Sequence, residues 1–169
     1  MEKEITEVYC GNGRGKTTLA IGQALRASSQ GKSVIIIQFL KGNERRELDF
    51  LEELDQLDIK IFRFEKMESC YDQLNEEEQA EEERNILNGL NFARKVIATQ
   101  ECDFLVLDEI LGLLDKHIAT VDMVVGLLKQ KDESMHLILT GNRVDPGILD
   151  YVDSVTTITT LGREQTHDK

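Results

Sequence analysis

Cys10-Gly11-Asn12-Gly13-Arg14-Gly15-Lys16-Thr17-Thr18 decides how this chain folds. Three glycines at alternate positions free the backbone where a Cβ would clash, so successive N–H groups can converge on phosphate oxygens. A run rich in strand formers, Ile5 to Cys10, precedes the loop, and an amphipathic run, Lys16 to Ser29, follows it. The loop therefore joins a strand to a helix N-terminus, whose partial positive charge favours anions. Lys16 adds a cation for phosphate, and the Thr17 hydroxyl suits Mg²⁺. The pattern G-x-x-x-x-G-K-[ST] would put glycine where Cys10 stands, so this loop is a variant. Cys10 reads as a small packed residue at the strand end rather than a reactive thiol.

Outward from the loop, strand-like runs alternate with helical ones. Ile5 to Cys10, Val34 to Phe39, Ile59 to Phe64, Phe104 to Asp108, Leu137 to Thr140 and Val155 to Thr160 read as strands. Lys16 to Ser29, Glu44 to Leu57, Asn75 to Thr99, Thr120 to Lys131 and Pro146 to Val152 read as helices. Val34-Ile35-Ile36-Ile37 is apolar throughout instead of alternating, which implies strands buried on both faces in a parallel sheet. The expectation is an α/β fold, a three-layer α/β/α sandwich of the P-loop NTPase type. Its mostly parallel sheet has about six strands, in one nucleotide-binding domain over residues 1–169. In such folds ligands gather beyond the carboxyl ends of the strands.

Charge narrows the partners. Lys and Arg number 20 against 32 Asp and Glu, a formal net charge of -12, which argues against nucleic acid and against an anionic membrane surface. No apolar run approaches the length of a membrane span, and Met1-Glu-Lys-Glu4 lacks the apolar stretch of a signal peptide. With Cys10, Cys70 and Cys102 not in C-x-x-C spacing, a reducing, cytoplasmic location is expected. A chain this acidic repels ATP at long range, so binding must rest on local cations and a divalent ion. Arg14, Lys16, Lys41 and Arg143 each fall just beyond a strand and are the candidates.

Phe104-Leu-Val-Leu-Asp-Glu109 is the second anchor: an apolar strand ending in two carboxylates at the same edge as the loop. Asp108 and Glu109 there could hold Mg²⁺ directly or through water, with helix capping as the plainer role. The acidic stretch Met67 to Glu83 carries no basic residue and reads as a solvated helix start, because carboxylates suit that end of the dipole. His117, His136 and His167 fall in different elements without metal-ligand spacing, and His136 opens an apolar strand as a structural histidine. Met67, Cys70 and Tyr71 read as loop packing, with a substrate-lining surface as the other reading.

The loop Gly11-Asn-Gly-Arg-Gly-Lys-Thr-Thr18, then Ala24-Leu-Arg-Ala27, Gln38-Phe-Leu-Lys-Gly42, Leu107-Asp-Glu-Ile110, Leu139-Thr-Gly141 and Asp153-Ser-Val155 together resemble the P-loop corrinoid adenosyltransferases. These act on ATP and cob(I)alamin or cob(I)yrinic acid a,c-diamide. The resemblance implies that Gly11, Asn12, Gly13, Arg14, Gly15, Lys16, Thr17 and Thr18 hold the triphosphate, with Arg26, Lys41 and Arg143 near the nucleotide. It assigns Thr17, Asp108 and Glu109 to Mg²⁺ or Mn²⁺, with Lys16 and Glu109 catalytic and the corrinoid as second substrate. It further implies a homodimer and a flavodoxin-type reductase as partner. Two departures stand out. Phe64-Glu-Lys-Met-Glu-Ser-Cys-Tyr71 occupies the place of the family's Gly-Phe-x-Trp segment, and Thr140-Gly141-Asn142-Arg143 puts the arginine of Thr-Gly-Arg one position late. Two other functions share these residues: a P-loop phosphotransferase or ATP hydrolase with Glu109 as base, and a non-catalytic ATP-binding relative that has lost corrinoid binding.

Overall fold

A computed structural model describes residues 3–41 and 48–162. Six strands form one sheet: β1 (Thr6–Cys10), β2 (Val34–Gln38), β3 (Ile59–Arg63), β4 (Phe104–Asp108), β5 (His136–Thr140) and β6 (Ser154–Thr157). Their order across the sheet is β3-β2-β4-β5-β1-β6, and every neighbouring pair is parallel. The helices between them are α1 (Lys16–Ser29), α2 (Glu76–Thr99), α3 (Ile110–Asp115), α4 (Val121–Gln130) and α5 (Pro146–Leu149).

The three layers follow from strand periodicity. Alternate residues point to opposite faces, so Val34 and Ile36, Phe104 and Val106, and Ile138 enter one core, with Ala20, Ala24 and Ala27 of α1 against them. Ile35 and Ile37, Leu105 and Leu107, and Leu137 and Leu139 enter the other, under α2, α3 and α4. Alanines at helical spacing let α1 lie close on the sheet, which holds the loop before it over the strand ends. α2 starts at a capping box, in which Asn75 accepts from the Glu78 amide and Glu78 accepts from the Asn75 amide, both at 3.0 Å. Ile86, Leu90, Ala93 and Ile97 form its buried stripe.

Three expectations are corrected. Between β2 and β3 the described residues hold only a 3-10 turn at Asp49–Leu51 in place of a helix over Glu44 to Leu57, and residues 44–47 lie outside the described part. The acidic start of α2 is not wholly solvated. Glu82 is buried, accepting from the Lys66 amide at 3.0 Å and Asn85 Nδ2 at 2.8 Å, which ties the chain after β3 to the helix. The helix α3 has no counterpart in the sequence reading, because Ile110-Leu-Gly-Leu-Leu is apolar without a polar face. Among the described residues, no helix is long and apolar enough to cross a membrane.

Candidate functional site

The glycine loop runs from the end of β1 to the start of α1, with Gly11 at φ 107° and Gly15 at φ 101°, conformations that only glycine adopts cheaply. Gly11 and Gly13 serve a second purpose. The chain after β6 lies across the loop, and a Cβ on Gly11 or Gly13 would stand 2.3 or 2.6 Å from the Ile158 carbonyl oxygen. The Gly13 amide donates to that oxygen at 2.9 Å, the Arg14 amide to Thr160 Oγ1 at 2.9 Å, and the Gly11 amide to the Asn142 carbonyl at 2.8 Å. Lys16, Thr17 and Thr18 open the helix, so their amides have no intrahelical acceptor and form the anion-facing end of the cradle. Lys16 Nζ folds over the loop and donates to the carbonyls of Gly11 at 2.6 Å and Gly13 at 3.1 Å.

Asp108 ends β4 with its side chain fully buried, and its carboxylate collects donors from three elements. Oδ1 accepts from Thr17 Oγ1 at 2.9 Å and Thr140 Oγ1 at 2.7 Å, while Oδ2 accepts from Gln38 Nε2 at 3.0 Å. Arg63 Nε donates to Gln38 Oε1 at 2.9 Å, which fixes the amide so that its NH₂ faces Asp108. Lys41 Nζ stands 3.3 Å from Thr17 Oγ1, 3.7 Å from Asp108 Oδ2 and 3.9 Å from Glu109 Oε2, one cation among three oxygens. Burial pushes the Glu109 carboxyl above the usual range; Lys41 opposes this and Asp108 adds to it. Glu109 has φ 64° and Leu40 φ 61°, two left-handed residues that are not glycine, at the carboxyl ends of adjacent strands. Each such residue costs roughly 1–2 kcal/mol, and functional sites are where such cost persists. A cavity of about 290 Å³ opens beside them, lined by Leu40, Lys41, Glu109, Gly112, Lys116 and Asn142 among others.

The structure thus brings together Gly11 to Thr18, Lys41, Asp108 and Glu109. It does not bring Arg26, which lies exposed in the last turn of α1. Ten residues of helix separate Arg26 from Lys16, about 15 Å, beyond the reach of a side chain back to the loop. Arg143 is also exposed and donates to Asp115 Oδ1 of α3 at 2.9 Å, so its charge is spent at the rim. His136 does not touch this site, since its ring lies between Glu4 and Glu7 at the opposite end of β5. Gln38, Arg63 and Thr140 were missed. The signal for Gln38 and Thr140 was a polar residue closing an otherwise apolar buried strand; Arg63 carried none.

A strand, a glycine loop, a helix opening in Lys-Thr and a carboxylate closing a nearby parallel strand define a P-loop α/β protein. A solved KaiC-like protein from Pyrococcus horikoshii shares that fold, with a TM-score of 0.59 at 18% identity over 92% of this chain and 71% of its own. The profile of the family ATP:corrinoid adenosyltransferase BtuR/CobO/CobP matches residues 2–167, and the chain belongs to that family. The corrinoid adenosyltransferase of Escherichia coli is 30% identical, covering 92% of this chain and 76% of the relative. Corrinoid adenosyltransferase CobA of Salmonella typhimurium is 28% identical over the same shares, 92% and 76%.

Proposed function

We propose that the protein transfers the 5′-deoxyadenosyl group of ATP to the cobalt of a reduced corrinoid and releases triphosphate. The observation that carries this reading is the phosphate cradle with Lys16 above it, in a chain that belongs to the corrinoid adenosyltransferase family. Cobalt(I) is itself a strong nucleophile. Its electron pair forms the cobalt–C5′ bond, the C5′–O bond breaks, and that pair leaves on the triphosphate. The protein therefore needs no nucleophilic side chain; it must align C5′ and stabilise the departing anion.

In this reading the amides of residues 15–18 and the Lys16 ammonium hold the triphosphate, and Arg14 lies at the loop's exposed side. The donor set also fits Mg²⁺ or Mn²⁺, hard cations that take hydroxyl and carboxylate oxygens and keep several waters. Thr17, Asp108 and Glu109 would hold the ion, which supplies charge neutralisation to the leaving triphosphate. Lys41, already among these three side chains, supplies one positive charge there without any ion. A cytoplasmic homodimer served by a flavodoxin-type reductase completes the reading and rests on the family resemblance. The test is anaerobic: protein, Mg-ATP and chemically reduced cobalamin are mixed, the light-sensitive cobalt–carbon bond is followed by absorbance, and triphosphate is assayed against phosphate. Bond formation with one triphosphate per adenosyl group is expected. ADP or phosphate without a cobalt–carbon bond would turn the reading to phosphoryl transfer or hydrolysis.

A further inference from the structure

Lys41 reaches its three oxygens only because the chain bends sharply at Leu40, where a leucine sits at φ 61°. The sheet does not supply the hydrogen bond that would hold this bend. β2 pairs with β3 as far as Gln38 and Arg63, and the Phe39 amide goes to the Asp108 carbonyl at 2.9 Å. That leaves the Leu40 amide without a ladder partner. It donates instead to Oε1 of Glu65, two residues beyond the end of β3. Glu65 is 7% exposed, and its other oxygen, Oε2, is buried with no hydrogen-bond partner among the described residues. Its backbone is held in turn, because the next amide, Lys66, is bonded to buried Glu82 of α2.

A buried carboxylate with one oxygen unpaired is costly, and a surface turn would not need it. What the residue achieves is local. It satisfies the Leu40 amide, which has no ladder partner, and the next side chain is the cation shared by Thr17, Asp108 and Glu109. We propose that Glu65 is a positioning residue: it clamps the bend at Leu40 and so holds Lys41 at the nucleotide site. This rests on the reading of that site given above.

The test is a double-mutant cycle on the full chain, with Mg-ATP affinity read by calorimetry and folding checked by circular dichroism. Lys41→Met weakens binding. Glu65→Leu, which removes the acceptor at similar size, weakens it by roughly tenfold. The double variant Glu65→Leu/Lys41→Met binds no worse than Lys41→Met alone, because once the lysine is gone the clamp has no cation left to hold. Glu65→Gln keeps a carbonyl oxygen for the Leu40 amide and restores most of the affinity. A folded Glu65→Leu variant with wild-type affinity, or a loss that adds in full to that of Lys41→Met, overturns the proposal and leaves the nucleotide site standing. Wild-type protein that does not bind Mg-ATP, or a Lys41→Met variant that binds like wild type, overturns the reading of the site and the proposal with it. A further measurement needs no variant: the Leu40 amide of wild-type protein is protected from hydrogen exchange, and exchange as fast as an exposed loop amide overturns the clamp.

Discussion

Thr17 Oγ1 donates to Asp108 Oδ1 at 2.9 Å across 91 positions of sequence, joining the first turn of α1 to the end of β4. The strand between them, β5, contributes Thr140, whose hydroxyl donates to the same oxygen at 2.7 Å and accepts from the Glu109 amide at 2.8 Å. The two hydroxyl protons thus point at Asp108, leaving the Thr17 oxygen lone pairs free to face a cation. Lys41 takes that place here.

Asp108→Asn tests this arrangement. A carboxylate only accepts, and Asp108 receives two hydroxyls and one amide group. Asparagine would turn an NH₂ toward donors, leaving one buried hydrogen bond unmade. A loss of about 1–3 kcal/mol in urea unfolding is expected, together with a loss of adenosyl transfer in the assay with Mg-ATP. Unchanged stability and unchanged turnover in this variant would remove Asp108 from the site.

Lys16→Ala separates binding from folding. Its ammonium bonds only to the carbonyls of Gly11 and Gly13 among the described residues, and those carbonyls can turn to water. Stability should change by about 1 kcal/mol or less, whereas ATP affinity should collapse. Calorimetry showing wild-type ATP affinity would sink the phosphate-loop assignment.

The loop glycines are not equivalent, and two alanine variants expose the difference. At Gly15 nothing lies within 4 Å of an added Cβ, so Gly15→Ala meets only the cost of φ 101°. At Gly13 the Cβ would meet the Ile158 oxygen at 2.6 Å and the Thr160 nitrogen at 2.8 Å, backbone atoms that cannot rotate aside. Gly13→Ala should therefore force the chain after β6 off the loop, destabilising the fold by roughly 1–3 kcal/mol. Limited proteolysis reads this directly: cleavage near residues 158–162 rises in Gly13→Ala and not in Gly15→Ala. Equal cleavage in both would mean that the chain after β6 does not brace the loop.

Much of this architecture is legible in the sequence, because its signals are local. Fully apolar strands, the spaced alanines of α1 and the Asn75 cap each report on a few adjacent residues. The loop and Asp108-Glu109 are equally local, and strand ends in a parallel sheet bring them to one edge. What stayed hidden depends on partners far along the chain. Arg63 orients Gln38 from a neighbouring strand, and Glu65 reaches back 25 positions to the Leu40 amide. Arg26 shows the converse: a motif quotes it beside the loop residues, while 1.5 Å of helix rise per residue carries it away. Glu82 shows why an acidic run does not report exposure, since one member of it is buried and accepts two hydrogen bonds.

Two carboxyls, half-buried Glu4 and buried Glu65, give pH dependences of opposite sign. Burial raises the Glu4 pKa, but hydrogen bonds and charge from Lys32 and His136 outweigh it, and the net direction is downward from 4.5. Its contribution to stability is present above 4.5 and is lost as pH falls through the lower folded-state value. For Glu65, burial dominates and Glu82 adds to it, against the Leu40 amide, so the net direction is upward from 4.5. The wild-type chain is thus favoured at Glu65 below pH 4.5 and loses that advantage as pH rises through the folded-state value. Urea unfolding of Glu4→Gln and Glu65→Gln across the acid range separates them. The stability deficit of Glu4→Gln relative to wild type should shrink as pH falls below 4.5. Glu65→Gln should gain on wild type as pH rises above 4.5, because glutamine has no proton to give up in a buried site. Parallel curves for the two variants would show that one of these carboxyls does not sit in the environment described.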